Sequence, residues 1–295
     1  MISKYFKRLY LILFLYYVIY SYSCKNNYSR DNFSDKIPFN LCPIGKTRIK
    51  CIIYNLQRLP YLLRDIKINN IIDNYDLILL QEYFNDFFLN RNSYLKKSNK
   101  YFNTGGKNIL STKIIDSGLV NIAKYKLEFI DFITFNNNKS VDKLANKGFL
   151  VSKLTICNKP IIIINTHLQN FYTHQEYNCS VISEQLSILN DYVLTLITNY
   201  DVLLMGDFNR NVYDINWTIK PDQIILTKYP TVWDNRDGLI PISTPYQVNL
   251  SQHPYWSDGG FIWSKNIKIS NISNIIIDKE TDHCGIEFII NINNI

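Results

Sequence analysis

The chain has 295 residues, of which 46% are hydrophobic and 19% charged, a composition that can bury a sizeable core and excludes a disordered or fibrous protein. The formal charge of +7 is compatible with nucleic acid or an anionic membrane as the partner. Glycine and proline are scarce, with 10 and 9 residues, so the sequence has no collagen-like region and no flexible glycine-rich linker.

The first 23 residues have the pattern of a secretory signal peptide or a membrane anchor. Basic residues lie within positions 4–8, an apolar run covers 9–20, and serines occupy positions 21 and 23. This order is typical of a signal peptide, and the run is short for a transmembrane helix, so cleavage is favoured over anchoring. Cleavage would remove three basic and no acidic residues and lower the charge from +7 to +4. The sequence therefore predicts a secreted or membrane-associated protein.

After this segment, the sequence predicts a polar leader over 24–45 and one domain over 46–295, because no repeat or linker divides the remainder. Apolar runs of strand length alternate there with amphipathic segments. Several runs are apolar on both faces, which is typical of central strands. The predicted strands are 49–54, 76–80, 148–156, 161–166, 201–205 and 286–292. The predicted helices are 60–72 and 180–199, the second with Ser180 or Ser183 as its N-cap.

The six cysteines could pair if the chain enters an oxidising compartment. They lie at positions 24, 42, 51, 157, 179 and 284. None forms a CxxC pair or has the spacing to histidine that zinc sites show, so a zinc site is not expected. Cys51 and Cys157 fall in apolar strand-like runs and are predicted to be buried, and the pairing is left open.

Polar side chains of the kind that phosphate chemistry needs occur repeatedly at the ends of the predicted strands. A single one is usually a solvated turn residue, but a series of them is improbable by chance. They are Asn55, Glu82, His167, Asp207 and Asn209 after strands, and Asp282 and His283 before the last strand. In a layered α/β fold, strand ends on one edge converge and bind ligands. Oxygen donors and imidazoles together would form a site for a hard cation and a phosphate.

The order of these residues resembles the endonuclease/exonuclease/phosphatase superfamily, which includes deoxyribonuclease I, apurinic endonucleases, inositol polyphosphate 5-phosphatases and neutral sphingomyelinases. The resemblance covers roughly residues 49–290 and is carried by Asn55, 80–82, 165–169, 206–209, Asp258 and 282–283. It implies the α/β class, with a four-layer α/β/β/α sandwich around two central, mixed and mostly antiparallel sheets. It also implies Mg²⁺-dependent hydrolysis of a phosphodiester or phosphomonoester.

The resemblance implies a metal site and a catalytic set. Glu82 would be the principal ligand of Mg²⁺ or another divalent cation, with Asn55 and Asp282 beside it. The catalytic residues would be His167, Asp207, Asn209, Asp258 and His283. Of these, His167 would bind a phosphate oxygen, and Asp207 and Asn209 would position the water or the phosphate. His283 would be the general base, with its tautomer fixed by Asp258.

Several segments are similar to the neutral sphingomyelinases in particular. They are 81–84, 145–150, 166–169 followed by 184–186, and 209–211. Segment 254–258 is similar to the inositol phosphatases, but their arginine after the aspartate is Gly259 here, which argues against that branch. The favoured function is therefore a sphingomyelinase-like phosphodiesterase that acts on a phospholipid headgroup at a membrane surface.

The alternative function is a secreted, metal-dependent nuclease of the same fold, although the charge of +4 makes nucleic acid the less favoured partner. A catalytically inactive binding protein is a third hypothesis, which the presence of every expected polar residue disfavours. No feature indicates an obligate protein partner. The aromatic residues after Glu82, namely Tyr83, Phe84, Phe87, Phe88 and Tyr94, would contact the bilayer or form ordinary core.

Overall fold

The structure is a computed structural model that describes residues 46–56, 68–84, 95, 100–105, 116–138, 140–169, 175–227, 257–275 and 283–293. Segments 1–23 and 24–45 lie outside these residues, so their boundaries, and that of the 46–295 domain, stay predictions. Among the helices within the described ranges, none is both long and apolar enough to cross a bilayer.

The described residues form two six-stranded sheets and the helices that cover them. In chain order the strands are β1 (Lys46–Asn55), β2 (Leu77–Gln81), β3 (Tyr101–Thr104), β4 (Val120–Ala123), β5 (Lys126–Thr134), β6 (Gly148–Ile156), β7 (Lys159–His167), β8 (Asp201–Asp207), β9 (Gln223–Ile225), β10 (Asp258–Trp263), β11 (Ile267–Ile275) and β12 (Gly285–Asn293). Helix α1 (Ile68–Asn74) precedes β2, and helix α2 (Gln175–Leu196) lies between β7 and β8. Short 3₁₀ turns cover Ser140–Leu144 and Val212–Asp214.

Each sheet is mixed and has a parallel pair of strands at its centre. The strand order is β11-β12-β1-β2-β4-β3 in sheet 1 and β5-β6-β7-β8-β10-β9 in sheet 2. The pairs β1–β2 and β7–β8 are parallel, and the other pairs are antiparallel. The parallel strands therefore end at one edge of each sheet, where the antiparallel strands β10 and β12 begin. We call this edge the rim, defined by Asn55, Gln81, His167 and Asp207.

Apolar cores separate four layers, which confirms the predicted α/β/β/α sandwich. Successive side chains of a strand point to opposite faces, so alternate residues such as Ile53, Leu79 and Ile163 meet between the sheets. The intervening residues of sheet 1 pack against Ile71 of α1. Those of sheet 2 pack against Leu189 and its neighbours on α2. The long apolar runs of the central strands follow from this, because each strand is covered on both faces.

The structure confirms the six predicted strands as β1, β2, β6, β7, β8 and β12. The predicted N-cap of the second helix is wrong, because α2 begins at Gln175 and Ser180 and Ser183 lie inside it. Apolar periodicity detects the part of a helix that packs on the sheet and misses its polar first turns. The predicted helix over 60–72 overlaps α1, which ends at Asn74, and residues 60–67 lie outside the described part.

The cysteines differ from the prediction at one position. Cys51 is buried, as predicted, and its thiol is free. Cys157 is only half-buried and is disulfide-bonded. It lies with Asn158 in the two-residue turn between β6 and β7, where both residues have positive φ, 52° and 60°, as a tight hairpin turn requires. The apolar run that suggested burial of Cys157 ends one residue earlier, at Ile156.

Candidate active site

The inner faces of the central strands change from apolar to polar at the rim. Alternation along β1, β2, β7 and β8 places apolar side chains between the sheets up to this edge. The inward positions at the rim are Asn55, Gln81, Asn165, His167 and Asp207. All five side chains are buried. Because buried polar groups are costly without partners, this layer must be bonded internally or to a ligand.

Asn55 links the two sheets at the rim. Its amide nitrogen donates to Asp207 Oδ2 at 2.8 Å and lies 3.4 Å from Glu82 Oε1. Glu82 follows β2 with a left-handed backbone, φ 55°, which costs about 1–3 kcal/mol and is typical of functional sites. A Cβ on Gly118 would lie 2.9 Å from Glu82 Cα, so the tight turn at Glu82 depends on a glycine beside it. Asn55 thus joins two carboxylates from different sheets.

Asp258 and His283 form a buried carboxylate–imidazole pair. His283 Nδ1 lies 2.8 Å from Asp258 Oδ2, and His283 Nε2 lies 3.8 Å from Asp207 Oδ2. Asp258 starts β10 directly opposite Asp207 on β8. Gly260 is the second residue after Asp258, and a Cβ at this position would lie 2.7 Å from Met205 Cγ. The glycines after Asp258 therefore permit close pairing of β10 with β8, which brings the imidazole to Asp207.

His167 lies between these carboxylates and a buried lysine. Its Nε2 atom is 3.6 Å from Asp207 Oδ2 and 3.9 Å from Glu82 Oε1. Lys147 Nζ lies 3.1 Å from the same nitrogen, and an ammonium group can only donate, so Nε2 is the acceptor and the proton is on Nδ1. Burial, followed by the charges of Lys147 and His283, lowers the pKa of His167 well below its usual value. The ring is therefore neutral near neutral pH.

Lys147 is a site residue that the sequence prediction missed. Its side chain is 3% exposed and its ammonium group lies 3.3 Å from Asp142 Oδ2. It also donates to Leu168 O at 2.7 Å, and Asp142 in turn accepts from Gln169 Nε2 at 2.8 Å. Lysine is almost never fully buried unless it is paired. Segment 145–150 is one of those that resemble the neutral sphingomyelinases. A single lysine in a lysine-rich sequence, however, does not by itself indicate a site residue.

The turn after β8 holds Asp207 and Asn209. The backbone N–H of Asn209 donates to Asp207 Oδ1 at 2.8 Å, and Asn209 Nδ2 donates to Leu168 O at 3.0 Å. Asn209 has a left-handed backbone, φ 45°, as asparagine readily adopts. One oxygen of Asp207 is therefore bonded to this turn and the other to Asn55, so the carboxylate has a fixed orientation.

Asp207 is costly to ionise where it lies. Burial, and then the charge of Asp258, raise the pKa of Asp207 to about 7, against the opposing effect of His283. Ligand atoms of Asp207, Asp258 and His283 lie within 4.8 Å of one another. Asn55 presents its amide nitrogen, and not its oxygen, to Glu82 and Asp207, so the two carboxylates are the oxygen donors available to a hard cation here. This donor set fits Mg²⁺.

The structure brings seven of the eight predicted site residues into one network at the rim. They are Asn55, Glu82, His167, Asp207, Asn209, Asp258 and His283. Asp282 lies outside the described residues, and its role stays a prediction. Tyr83 and Phe84 are buried, so they belong to the core and the hypothesis that they contact a bilayer is wrong. Phe87, Phe88 and Tyr94 lie outside the described residues.

No family model matches the chain, but two curated proteins are similar to it. Sphingomyelinase C 2 of Leptospira interrogans is 22% identical over 275 aligned residues, which cover 80% of this chain and 43% of that protein. A sphingomyelinase of Dictyostelium discoideum is 28% identical over 117 residues, 35% of this chain and 26% of that protein. The chain therefore spans less than half the length of the curated relatives that it matches.

Solved structures share the architecture at low sequence identity. TDP2 from D. rerio, complexed with a single-strand DNA product, has a TM-score of 0.57 at 15% identity, covering 83% of this chain and 99% of that one. A beta toxin variant from Staphylococcus aureus with bound magnesium ions has a TM-score of 0.55 at 17% identity, covering 82% and 99%. With these neighbours and its two six-stranded sheets, the chain has a deoxyribonuclease I-like sandwich fold.

Proposed function

We propose that this chain is a Mg²⁺-dependent phosphodiesterase that hydrolyses the headgroup ester of a phospholipid, as a sphingomyelinase does. The observation that carries the proposal is the convergence of the carboxylates of Glu82 and Asp207 with the Asp258–His283 pair at one buried rim. Carboxylates hold a divalent cation and an oriented imidazole moves a proton, and hydrolysis of a phosphodiester uses both. The similarity to two sphingomyelinases supports the lipid substrate.

His283 has the geometry of a general base. Asp258 accepts from Nδ1 at 2.8 Å, so whenever the ring is neutral its Nε2 atom is unprotonated, and this atom faces Asp207 at 3.8 Å. A water molecule between them would give one proton to Nε2 as its oxygen bonds to phosphorus and the ester P–O bond to the lipid alcohol breaks. The departing alkoxide would take up a proton from solvent, and His283 would return its own proton to solvent. Asp207 has a fixed orientation and would accept the second hydrogen of that water, which aligns the nucleophile. Positioning of this kind is a main source of rate enhancement in phosphoryl chemistry.

Positive charge beside His167 would stabilise the transition state. The Lys147 ammonium group, at 3.1 Å from His167 Nε2, supplies a buried cation that is oriented before substrate binds. Its three hydrogens face His167, Leu168 O and Asp142, so it would stabilise the developing oxyanion through its charge and not by donating a hydrogen bond to it. A divalent cation held by the carboxylates of Glu82 and Asp207 would supply a Lewis acid for a phosphoryl oxygen.

The alternative is a metal-dependent nuclease on the same site, which the TDP2 neighbour solved with a DNA product supports. A nuclease needs a cationic groove along several phosphates, and its affinity falls steeply with salt. The charge of +4 after loss of residues 1–23 and the sphingomyelinase relatives favour the lipid substrate.

A substrate panel distinguishes these functions. The purified protein with Mg²⁺ is incubated with sphingomyelin vesicles and, in parallel, with duplex and single-stranded DNA at physiological salt. We expect release of phosphocholine and little cleavage of either DNA. Efficient DNA cleavage with intact sphingomyelin would establish the nuclease instead, and hydrolysis of neither would favour a binding protein.

We also propose that the protein is secreted or membrane-associated. Two observations support this: the signal-like pattern of residues 1–23 and the disulfide bond of Cys157, because disulfides persist mainly in oxidising compartments. N-terminal sequencing of the mature protein tests the proposal. A mature chain that starts after residue 23 indicates a cleaved signal peptide, and retention of residues 1–23 in a membrane fraction indicates an anchor.

A further inference from the structure

A buried polar link joins the two sheets beneath the candidate active site. Asn165 is fully buried on β7, two residues before His167 and on the same inner face. Its side-chain oxygen accepts a hydrogen bond from Gln81 Nε2 at 2.7 Å. Its side-chain nitrogen donates to the carbonyl oxygens of Leu80 and Val120, at 3.1 and 3.2 Å. One side chain of sheet 2 is thus bonded to β2 and β4 of sheet 1.

This link uses both donor hydrogens and the acceptor oxygen of the Asn165 amide. The two carbonyl acceptors require the nitrogen to face sheet 1, so the orientation of the amide follows from its surroundings. A buried polar group that loses its partner costs about 1–3 kcal/mol. A side chain at 165 without an amide would therefore leave several groups unpaired and would let the sheets shift relative to each other at this point.

The position of the link connects it to the site. Gln81 immediately precedes Glu82, and Asn165 lies two residues before His167 on the same strand, β7. Glu82 Oε1 and His167 Nε2 are 3.9 Å apart, although Glu82 adjoins sheet 1 and His167 belongs to sheet 2. Their separation therefore depends on how closely the sheets approach at the rim, to which the Asn165 amide contributes beside the Asn55–Asp207 bond.

We propose that Asn165 and Gln81 are positioning residues that set the distance between Glu82 and His167, and so the width of the site for the divalent cation and the phosphate. The inference rests on the proposed function. Neither residue is placed on the reacting atoms, and both act through the neighbour that they hold. In metal sites, substitution of outer partners that orient the ligands typically weakens metal affinity by about 10–100-fold.

A second cross-sheet link provides a matched control. Ser152 on β6 accepts a hydrogen bond from Asn121 Nδ2 on β4 at 3.0 Å, and both side chains are buried. Neither residue adjoins a predicted site residue in the sequence. Ser152→Ala therefore removes a buried polar link between the same two sheets without touching the strand ends that carry the site.

The test compares Mg²⁺ binding by calorimetry in the wild-type protein and in Asn165→Ala, Gln81→Met and Ser152→Ala, with kcat and KM on sphingomyelin vesicles as a second readout. We expect Asn165→Ala and Gln81→Met to weaken Mg²⁺ binding by about 10–100-fold and to lower kcat more than they raise KM. We expect Ser152→Ala to lower stability and to keep the wild-type Mg²⁺ affinity.

If Asn165→Ala fails to fold, Gln81→Met decides, because methionine keeps the length of the side chain and removes only its amide. Wild-type Mg²⁺ affinity in Gln81→Met, or an equal loss in Ser152→Ala, would overturn the positioning role. Absence of Mg²⁺ binding in the wild-type protein would overturn the proposed function itself, and the inference with it, so the two failures are distinguishable.

Discussion

At Glu82, an unfavourable backbone conformation and a carboxylate aimed at Asn55 occur in the same residue. If this carboxylate is the principal ligand of the cation, Glu82→Gln should raise the Mg²⁺ concentration for half-maximal activity by more than the roughly 10–100-fold that outer-shell substitutions cause. Activity is measured on sphingomyelin vesicles over a Mg²⁺ titration.

Glu128→Gln is the matched control, because Glu128 lies on β5 and pairs with Lys126 and Lys153 at the surface. It should leave the Mg²⁺ titration unchanged, since surface ion pairs contribute little. An unchanged titration in Glu82→Gln as well would mean that another residue binds the metal.

His283 is the next residue to test. His283→Ala should lower kcat by about 10²–10⁴-fold, the usual contribution of a general base, at saturating Mg²⁺. Asp258→Asn should lower kcat as well, because it alters the bond that orients the ring. The double variant should lose little more than His283→Ala alone, since residues that act as a unit are not additive. A His283→Ala variant with near-normal kcat and unchanged folding would place the base elsewhere.

The buried carboxyl group of Asp207 predicts a pH dependence of stability. Its pKa is raised from 3.8 to about 7, so the folded protein binds this proton more tightly than the unfolded chain does. The stabilisation is fully present below the pKa that Asp207 has in the unfolded chain. It is lost as the pH rises through the higher pKa that Asp207 has in the folded protein. In EDTA, the free energy of unfolding of the wild-type protein should therefore fall from about pH 4 to about pH 7 relative to Asp207→Asn.

Chemical denaturation at several pH values measures this difference. Mg²⁺ should restore the stability of the wild-type protein at the upper end of the range, because it binds the ionised carboxylate. If the free energy of unfolding depends on pH in the same way in the wild-type protein and in Asp207→Asn, the account of Asp207 is contradicted.

At the residue scale, the sequence predicts the site residues whose motifs are distinctive and misses those that act through packing. Glu82, Asp207 and His283 stand at strand ends, where a polar residue after an apolar run is conspicuous. Lys147 is found only through its burial and its contact with His167. Segment 145–150 is similar to the neutral sphingomyelinases, but lysine is common throughout this chain, so nothing in the segment singles out Lys147.

At the scale of elements, the strands that the sequence predicts are those covered on both faces. Strands β3, β4 and β9 are only three or four residues long, which is too short for a periodic pattern. Strand β5 is an edge strand with an irregularity between Phe129 and Asp131, and its polar residues interrupt the alternation. Strand β10 begins with Gly259 and Gly260 after Asp258, residues that are rare in strands. Strand β10 nevertheless forms because it is buried and paired between β8 and β9, and not because its residues favour strands.

The pairing of β7 with β8 depends on a glycine next to the site. Gly206 has φ 150°, and a Cβ there would lie 2.0 Å from Thr166 O. Gly206→Ala should therefore lower the free energy of unfolding by at least the roughly 1–3 kcal/mol typical of overpacking, and should lower kcat by displacing Asp207. Denaturant unfolding and vesicle hydrolysis measure the two effects.

Gly259→Ala is the comparison, because its Cβ would lie 2.9 Å from Ile225 O and a small shift of the edge strand β9 relieves this contact. It should cost less stability than Gly206→Ala. If the two variants are equally stable, the close approach at Gly206 is not a constraint on the pairing of β7 with β8.

For the whole molecule, the sandwich explains why residues far apart in the sequence form one site. Asn55 and Asp207 are 152 positions apart and still share a hydrogen bond, because the parallel pairs of both sheets end at the same rim. The order of motifs along the chain predicts this convergence through the resemblance to a known fold. The bonds across the sheets depend on side-chain packing, and nothing in a single strand predicts them.

The central claim is that this site hydrolyses a phosphodiester of a phospholipid with the help of Mg²⁺. The most direct measurement is ³¹P NMR of sphingomyelin vesicles incubated with the purified protein, once with Mg²⁺ and once with EDTA. The account predicts that the diester signal is replaced by the phosphomonoester signal of phosphocholine with Mg²⁺, and that it persists in EDTA or with His283→Ala. An unchanged diester signal with Mg²⁺, or equal conversion in EDTA, would contradict it.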